Sequence, residues 1–166
     1  MVFAAVPVKI GPDRLVAWMR HVAAFKKSRY VLAIQRFSDP PRIEDLATLN
    51  LDNGELEAIR QCRRGDCSLK LAGAEMESLQ RAAAGAGADW KPALDRAFRE
   101  VVLERVQAYL GGGHAALKDH EDRREPVSLD ARFAKLLGHT AFLTLGLPQF
   151  ADALASYPRV PAADVE

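Results

Sequence analysis

The chain has 166 residues and a mass of 18.2 kDa, with 49% hydrophobic and 27% charged residues. That suffices for one domain with its own apolar core, and it excludes a wholly disordered, collagen-like or mucin-like chain. Lys and Arg number 23 against 22 Asp and Glu, a net of +1 that lacks the basic excess of a dedicated nucleic-acid binder, and no apolar run reaches the roughly eighteen residues of a membrane span.

Val6, Val8 and Ile10 alternate with Pro7 and Lys9, which predicts a short edge strand. Gly11-Pro12-Asp13 then opens a helix, because proline suits the first turn and an acid there favours the dipole. Its apolar stripe is Leu15, Val16, Met19, Val22 and Ala23. Residues 30–37 are rich in apolar and β-branched side chains and predict a second strand, ended by Ser38-Asp39-Pro40-Pro41. A short helical turn with Ile43, Leu46 and Leu49 inward follows.

Leu51-Asp52-Asn53-Gly54-Glu55-Leu56 is the sharpest local signal. Asp52 caps a helix, Glu55 reaches back three residues, and Leu51 and Leu56 take the positions of a hydrophobic staple. Residues 63–66 form a turn, 68–71 are extended, and 73–84 are helical with Met76 and Leu79 inward. The AAAGAGA run at 82–88 reads as a flexible loop. Asp89 caps the longest helix, about 90–110, which Gly111-Gly112-Gly113 stops. Leu94, Ala97, Phe98, Val101, Val102, Val106, Tyr109 and Leu110 give it one apolar side, so it is the expected spine of the core. A polar helix from His114 to about Asp122, a helix capped by Ser128 and a last helix opened by Pro148 complete the series. The fold expected is mainly α with a minor α+β element. It has six to eight helices around the spine and two short N-terminal strands, in a single domain spanning 1–166. The abrupt first strand and the sparse tail at 158–166 read as the edges of a piece of a longer protein.

Cys62 and Cys67 stand in a C-x4-C arrangement. The residues alone leave two readings open, reduced thiols in a loop and a local disulfide. A structural zinc site lacks a second ligand pair, since His114 and His120 lie six residues apart and do not share a helical face. No residue is assigned to a metal or a cofactor. Arg64-Gly65-Asp66 spells a tripeptide that some adhesion receptors read, but three residues match easily by chance, and a charged turn accounts for them.

The segment 118–125 is dense in titratable groups. His120, oriented by Asp119 or Asp122 and with His114 nearby in sequence, is the candidate centre of a hydrolase or metal-dependent enzyme. The competing reading is a solvated helical face, with Lys118–Asp122 and Asp119–Arg123 as ion pairs one turn apart. Asp95–Arg99 and Arg96–Glu100 make the same pattern on the spine. Between residues 14 and 36 there are six basic side chains (Arg14, Arg20, Lys26, Lys27, Arg29, Arg36) and no acid. Arg14, Lys26, Lys27 and Arg29 are therefore the candidate contacts of a peripheral module on an anionic lipid surface.

A resemblance is carried by Leu49-Asn50-Leu51-Asp52 and by three further stretches. They are Phe37-Ser38-Asp39-Pro40-Pro41-Arg42-Ile43-Glu44-Asp45-Leu46, then Cys62-Arg63-Arg64-Gly65-Asp66-Cys67-Ser68-Leu69-Lys70-Leu71, and Tyr109-Leu110-Gly111-Gly112 continuing toward Tyr157-Pro158. They resemble a set of uncharacterised bacterial hypothetical proteins, over most of the chain. The resemblance implies no activity and no functional residues. It implies longer, exported members with further strand-rich sequence, hence a periplasmic or cell-envelope setting, and it favours the disulfide for Cys62 and Cys67. Without an exported precursor the setting would be cytoplasmic. The opening strand–helix–strand is also similar to that of helix-grip proteins, which hold hydrophobic ligands.

The leading functional expectation is a non-enzymatic binding or interaction domain. Its partner would be a protein or a small apolar or amphiphilic ligand held between the spine and the first helix and lined by Trp18, Phe25, Phe98, Val102 and Tyr109. The enzyme centred on His120 and the membrane-surface module are the alternatives.

Overall fold

A computed structural model describes residues 7, 9–31 and 33–159. Among them are seven α-helices: α1 (Pro12–Arg20), α2 (Val22–Phe25), α3 (Asn53–Gln61), α4 (Gly73–Gly85), α5 (Trp90–Gly112), α6 (Leu129–Gly138) and α7 (Pro148–Ser156). Short 3-10 turns at Ile43–Leu46, Gly87–Asp89 and Gly113–Ala116 and a π-turn at Phe142–Gly146 link them. The mainly helical architecture stands.

Local chemistry explains the helix ends. Asp52 accepts from the Glu55 N–H at 2.8 Å, while Glu55 accepts from the Asp52 N–H at 2.8 Å, so two orphan donors of α3 are satisfied reciprocally. The Ser128 hydroxyl accepts from the Ala131 N–H at 3.2 Å and starts α6. Pro12 and Pro148 sit in the first turns of α1 and α7, where a missing N–H costs nothing.

Packing decides the rest. α4 lies along α5, α3 closes one side, and Leu56, Ile59, Cys62, Leu71, Met76, Leu79, Ala83, Leu94 and Val101 are buried together. Phe98, Ala97, Trp90 and Leu51 pack against this cluster. Cys62 and Cys67 are joined as a disulfide, which closes the turn after α3 at the edge of the core.

Several expectations are corrected. The first predicted strand lies partly outside the described residues, and Lys9 and Ile10 join no ladder. In the second, 30–37, Val31 pairs only locally with Ser28, and among the described residues no strand neighbours 33–37 to take their backbone groups. The AAAGAGA run is no flexible loop. Alanines 82–84 continue α4, with Ala83 buried, because alanine is the best helix former and the α5 contact rewards it. Asp89 makes no side-chain cap on α5.

The glycine stop also moves. Gly111 and Gly112 remain helical, and the chain turns at Gly113, whose φ of 65° puts it in the left-handed region. A Cβ there would stand 2.1 Å from the Tyr157 carbonyl oxygen, so glycine lets the end of α5 approach the end of α7. The polar helix at 114–122 is replaced by one 3-10 turn and an irregular run. His120 and Val127 exchange both backbone hydrogen bonds, at 2.9 and 2.8 Å.

Leu79→Ala or Leu94→Ala should each cost about 2–5 kcal/mol, read from urea unfolding followed by far-ultraviolet circular dichroism. In protein denatured without reductant, thiol titration should find no free cysteine. Cys62→Ala with Cys67→Ala should lower stability by about 2 kcal/mol, the value expected for so short a closed loop.

Candidate functional site

Two features of the surface and one of the interior bear on function. The interior feature is ionic. Glu75 lies one turn into α4 and is 4% exposed. Its carboxylate accepts from Arg105 Nε at 2.9 Å and Nη2 at 2.5 Å, and from the Ala72 N–H at 2.7 Å. Arg105, on α5, also donates to the Lys70 carbonyl at 2.8 Å. Burial alone would raise the Glu75 pKa, but the Arg105 guanidinium and the Ala72 N–H outweigh it and hold the carboxyl below its ordinary value.

The disulfide turn is docked on the irregular run that replaces the predicted polar helix. The Gly65 N–H donates to the Glu121 carbonyl at 2.8 Å, and the Cys67 N–H to the Asp122 carbonyl at 3.1 Å. Arg64 spans Glu77 at 3.0 Å and Glu121 at 2.7 Å. The Arg64-Gly65-Asp66 tripeptide therefore has its guanidinium committed within the fold. The Asp122 side chain is 1% exposed, and Lys70 Nζ meets its Oδ2 at 2.5 Å, which holds its pKa down. Its Oδ1 is buried and has no hydrogen-bond partner among the described residues.

This arrangement leaves His120 and Asp122 within reach of each other's charge but without a hydrogen bond between them among the described residues. Asp122 is occupied by Lys70, with Arg123 at 3.7 Å, so the expected Lys118–Asp122 and Asp119–Arg123 pairs do not form; the segment is not helical, and the required one-turn spacing is absent. Asp119 is exposed. No hydrogen bond among the described residues orients the His120 ring through either acid. Burial, and then the nearby Arg105 charge, push the His120 imidazole below its ordinary value. His114 faces elsewhere, with Nε2 3.4 Å from Asp130 and its ring 4.5 Å from Phe133. Among the described residues no three His, Cys, Asp or Glu side chains converge as metal ligands.

On α5, Asp95 and Arg99 pair at 2.6 Å as expected, but they are not a solvated face. Asp95 accepts from the Leu51 N–H and Arg99 donates to the Leu49 carbonyl, so the pair clamps the entry to α3. Arg96 and Glu100 form the exposed pair, at 3.2 Å.

The first surface feature is an apolar groove of about 570 Å³ between residues 30–37 and α5. Tyr30, Val31, Ala33 and Phe37 form one wall, Leu46 and Leu49 the floor, and Val102 and Val106 the α5 side. Thr48 Oγ1 donates to Gln35 Oε1 at 3.3 Å and ties the wall to the floor. Of the five predicted liners only Val102 is here. Phe98 packs on the core, Tyr109 stacks on Tyr157 at 5.1 Å, and Trp18 meets Phe25 edge-on at 5.0 Å. The wall residues escape sequence reasoning because a predicted strand assigns them to a sheet. Their β-branched and aromatic content was the available signal.

The second feature is a cleft of about 750 Å³ at the corner where His21 separates α1 from α2, lined by Arg20, His21, Val22, Ile34, Gln35 and Arg36. α1 packs on α2, and neither has a buried residue; Trp18 remains 46% exposed. Lys26 stacks over Phe25 and Arg29 over Tyr30, while Arg14 and Lys27 are exposed.

No family model, curated protein or solved structure matches the chain. Among the described residues no helix is long and apolar enough to cross a membrane.

The three titrating groups of the interior act in one direction. Glu75, Asp122 and His120 all have folded values below their ordinary ones. Each then contributes stability that is fully present above its unfolded pKa and is lost as pH falls through the folded one. Urea midpoints should decline below about pH 6.5 through His120, and more steeply below about pH 4.5 through the two carboxyls. His120→Gln should flatten the profile between about pH 7 and 5.5 and leave the steeper acid limb in place.

Proposed function

We propose that the protein is a non-enzymatic binding domain for an apolar or amphiphilic small molecule, held in the groove between residues 30–37 and α5. The observation that carries this reading is the groove itself: about 570 Å³, walled by aromatic and branched apolar side chains, with Gln35, Thr48, Asn50 and Asp45 as polar members, the Asp45 carboxylate already held by Ser38 and the Arg42 N–H. Ligand sites are typically concave, mostly apolar and of this size, with few polar groups to set orientation. A cell-envelope setting is part of this proposal, as the resemblance read from the sequence alone implies. The Cys62–Cys67 bond, of a kind that persists in oxidising compartments, supports it.

A second reading is favoured by one observation. α1 leaves Val16, Trp18 and Met19 half-exposed beside Arg14, Lys26, Lys27 and Arg29, the composition of a helix that lies in an anionic bilayer surface. Flotation with phosphatidylglycerol vesicles separates the two. Salt-sensitive binding that is lost on changing Lys26 and Lys27 to Gln supports the surface reading, and its absence removes it.

For the groove, a fluorescent long-chain probe should bind saturably with a stoichiometry of one. Val102→Trp, which fills the α5 side, should weaken binding by at least about tenfold, the loss expected for one or two displaced apolar contacts. Thermal unfolding should show that the variant is folded. A probe that binds both proteins equally, or neither, would sink the groove as the site.

A further inference from the structure

We infer that the cleft at the α1–α2 corner receives the carboxylate or phosphate head of an anionic amphiphile whose chain occupies the groove. This rests on the groove reading above and names the ligand class.

The first support is charge. Arg20 and Arg36 reach the cleft from two separate elements, the end of α1 and the segment before Ser38. Neither has an ion-pair partner among the described residues, whereas Arg64, Arg99 and Arg105 all meet carboxylates. No acid occurs anywhere from residue 14 to residue 36, so this part of the chain offers those guanidiniums no internal anion. A planar guanidinium matches carboxylate and phosphate oxygens with two parallel donors, and two of them approaching from different elements suit one anionic head.

The second support is the wall that the two openings share. Val31, Ala33, Gln35 and Phe37 line the groove, while Ile34, Gln35 and Arg36 line the cleft. Gln35 lines both spaces, so the groove and the cleft adjoin at its side chain. One segment therefore presents apolar side chains to the chain of a ligand and a basic residue to its head, a single position apart in sequence.

The test uses the full chain with dodecanoate, dodecyl phosphate, dodecanol and inorganic phosphate, the amphiphiles kept below their micelle concentrations and binding followed by calorimetry. Both anionic amphiphiles should bind at least tenfold more tightly than dodecanol, and added salt should erode that preference. Arg20→Gln with Arg36→Gln should bring them down to the dodecanol affinity while dodecanol itself is unaffected. Arg132→Gln, on the exposed side of α6, should change nothing. Equal binding of dodecanol and dodecanoate, untouched by the arginine changes, would overturn the head-group assignment and leave the groove standing. Inorganic phosphate binding as tightly as dodecyl phosphate would overturn it as well, since the chain would then contribute nothing. Binding of none of the four would remove the groove reading together with this one.

Discussion

The buried carboxylate of Glu75 is the constraint around which the helical body is arranged. An acid at this depth is costly unless its charge is met on the spot, and removing one partner of such a pair leaves an uncompensated ion. Here the guanidinium of Arg105 meets it from α5 and the Ala72 N–H meets it from the start of α4. That requirement sets how α4 lies on α5 at one end of the apolar seam formed by Met76, Leu79, Leu94 and Val101. The second bond of Arg105, to the Lys70 carbonyl, carries the constraint into the segment after the disulfide. Lys70 passes it on to Asp122, and Asp122 to the backbone of Cys67. A covalent turn, a buried acid and an irregular run thus brace one another on the same side of the core.

The N-terminal segment follows a different rule. In the body, the buried acids meet cations and Arg64, Arg99 and Arg105 are held by carboxylates. Between residues 14 and 36 the cations have no acids to meet, and the apolar side chains of α1 and α2 are left partly in water. The net charge of +1 averages over these two regimes. Groups left unpaired inside a chain are available to something outside it. The groove lies where this segment meets the paired body, and the cleft lies within the segment itself.

How much of this could be read in the residues depends on whether the deciding interaction is local. The Asp52–Glu55 box, the Ser128 cap and the proline starts are settled within one turn, and they stand where the residues place them. The stripe on α5 is also legible, because its spacing survives whatever packs on it; Leu94 and Val101 are buried and Phe98 packs on the core. That residues 33–37 stay unpaired was not legible. A run of β-branched residues needs a neighbouring strand, and no local signal says that none will come. The polar helix at 114–122 failed for a related reason: its charged residues suit a solvated helix, yet His120, Glu121 and Asp122 spend their backbone groups on Val127, Leu71 and the disulfide turn.

The candidate site divides along the same line. The sequence by itself determined a mainly helical domain with α5 as its spine, a wholly basic stretch from 14 to 36, and two cysteines close enough in the chain to pair. Only the tertiary structure decided that Val102 faces a groove while Phe98 faces the core. It also decided that Trp18 stays on the surface, that Asp122 is paired with Lys70, and that residues 33–37 border both an apolar and a basic space. The reason is physical. Helix signals arise from neighbours within four residues, whereas the choice of which apolar face is covered, and by what, is made by residues that are far apart in the chain and meet only when it folds.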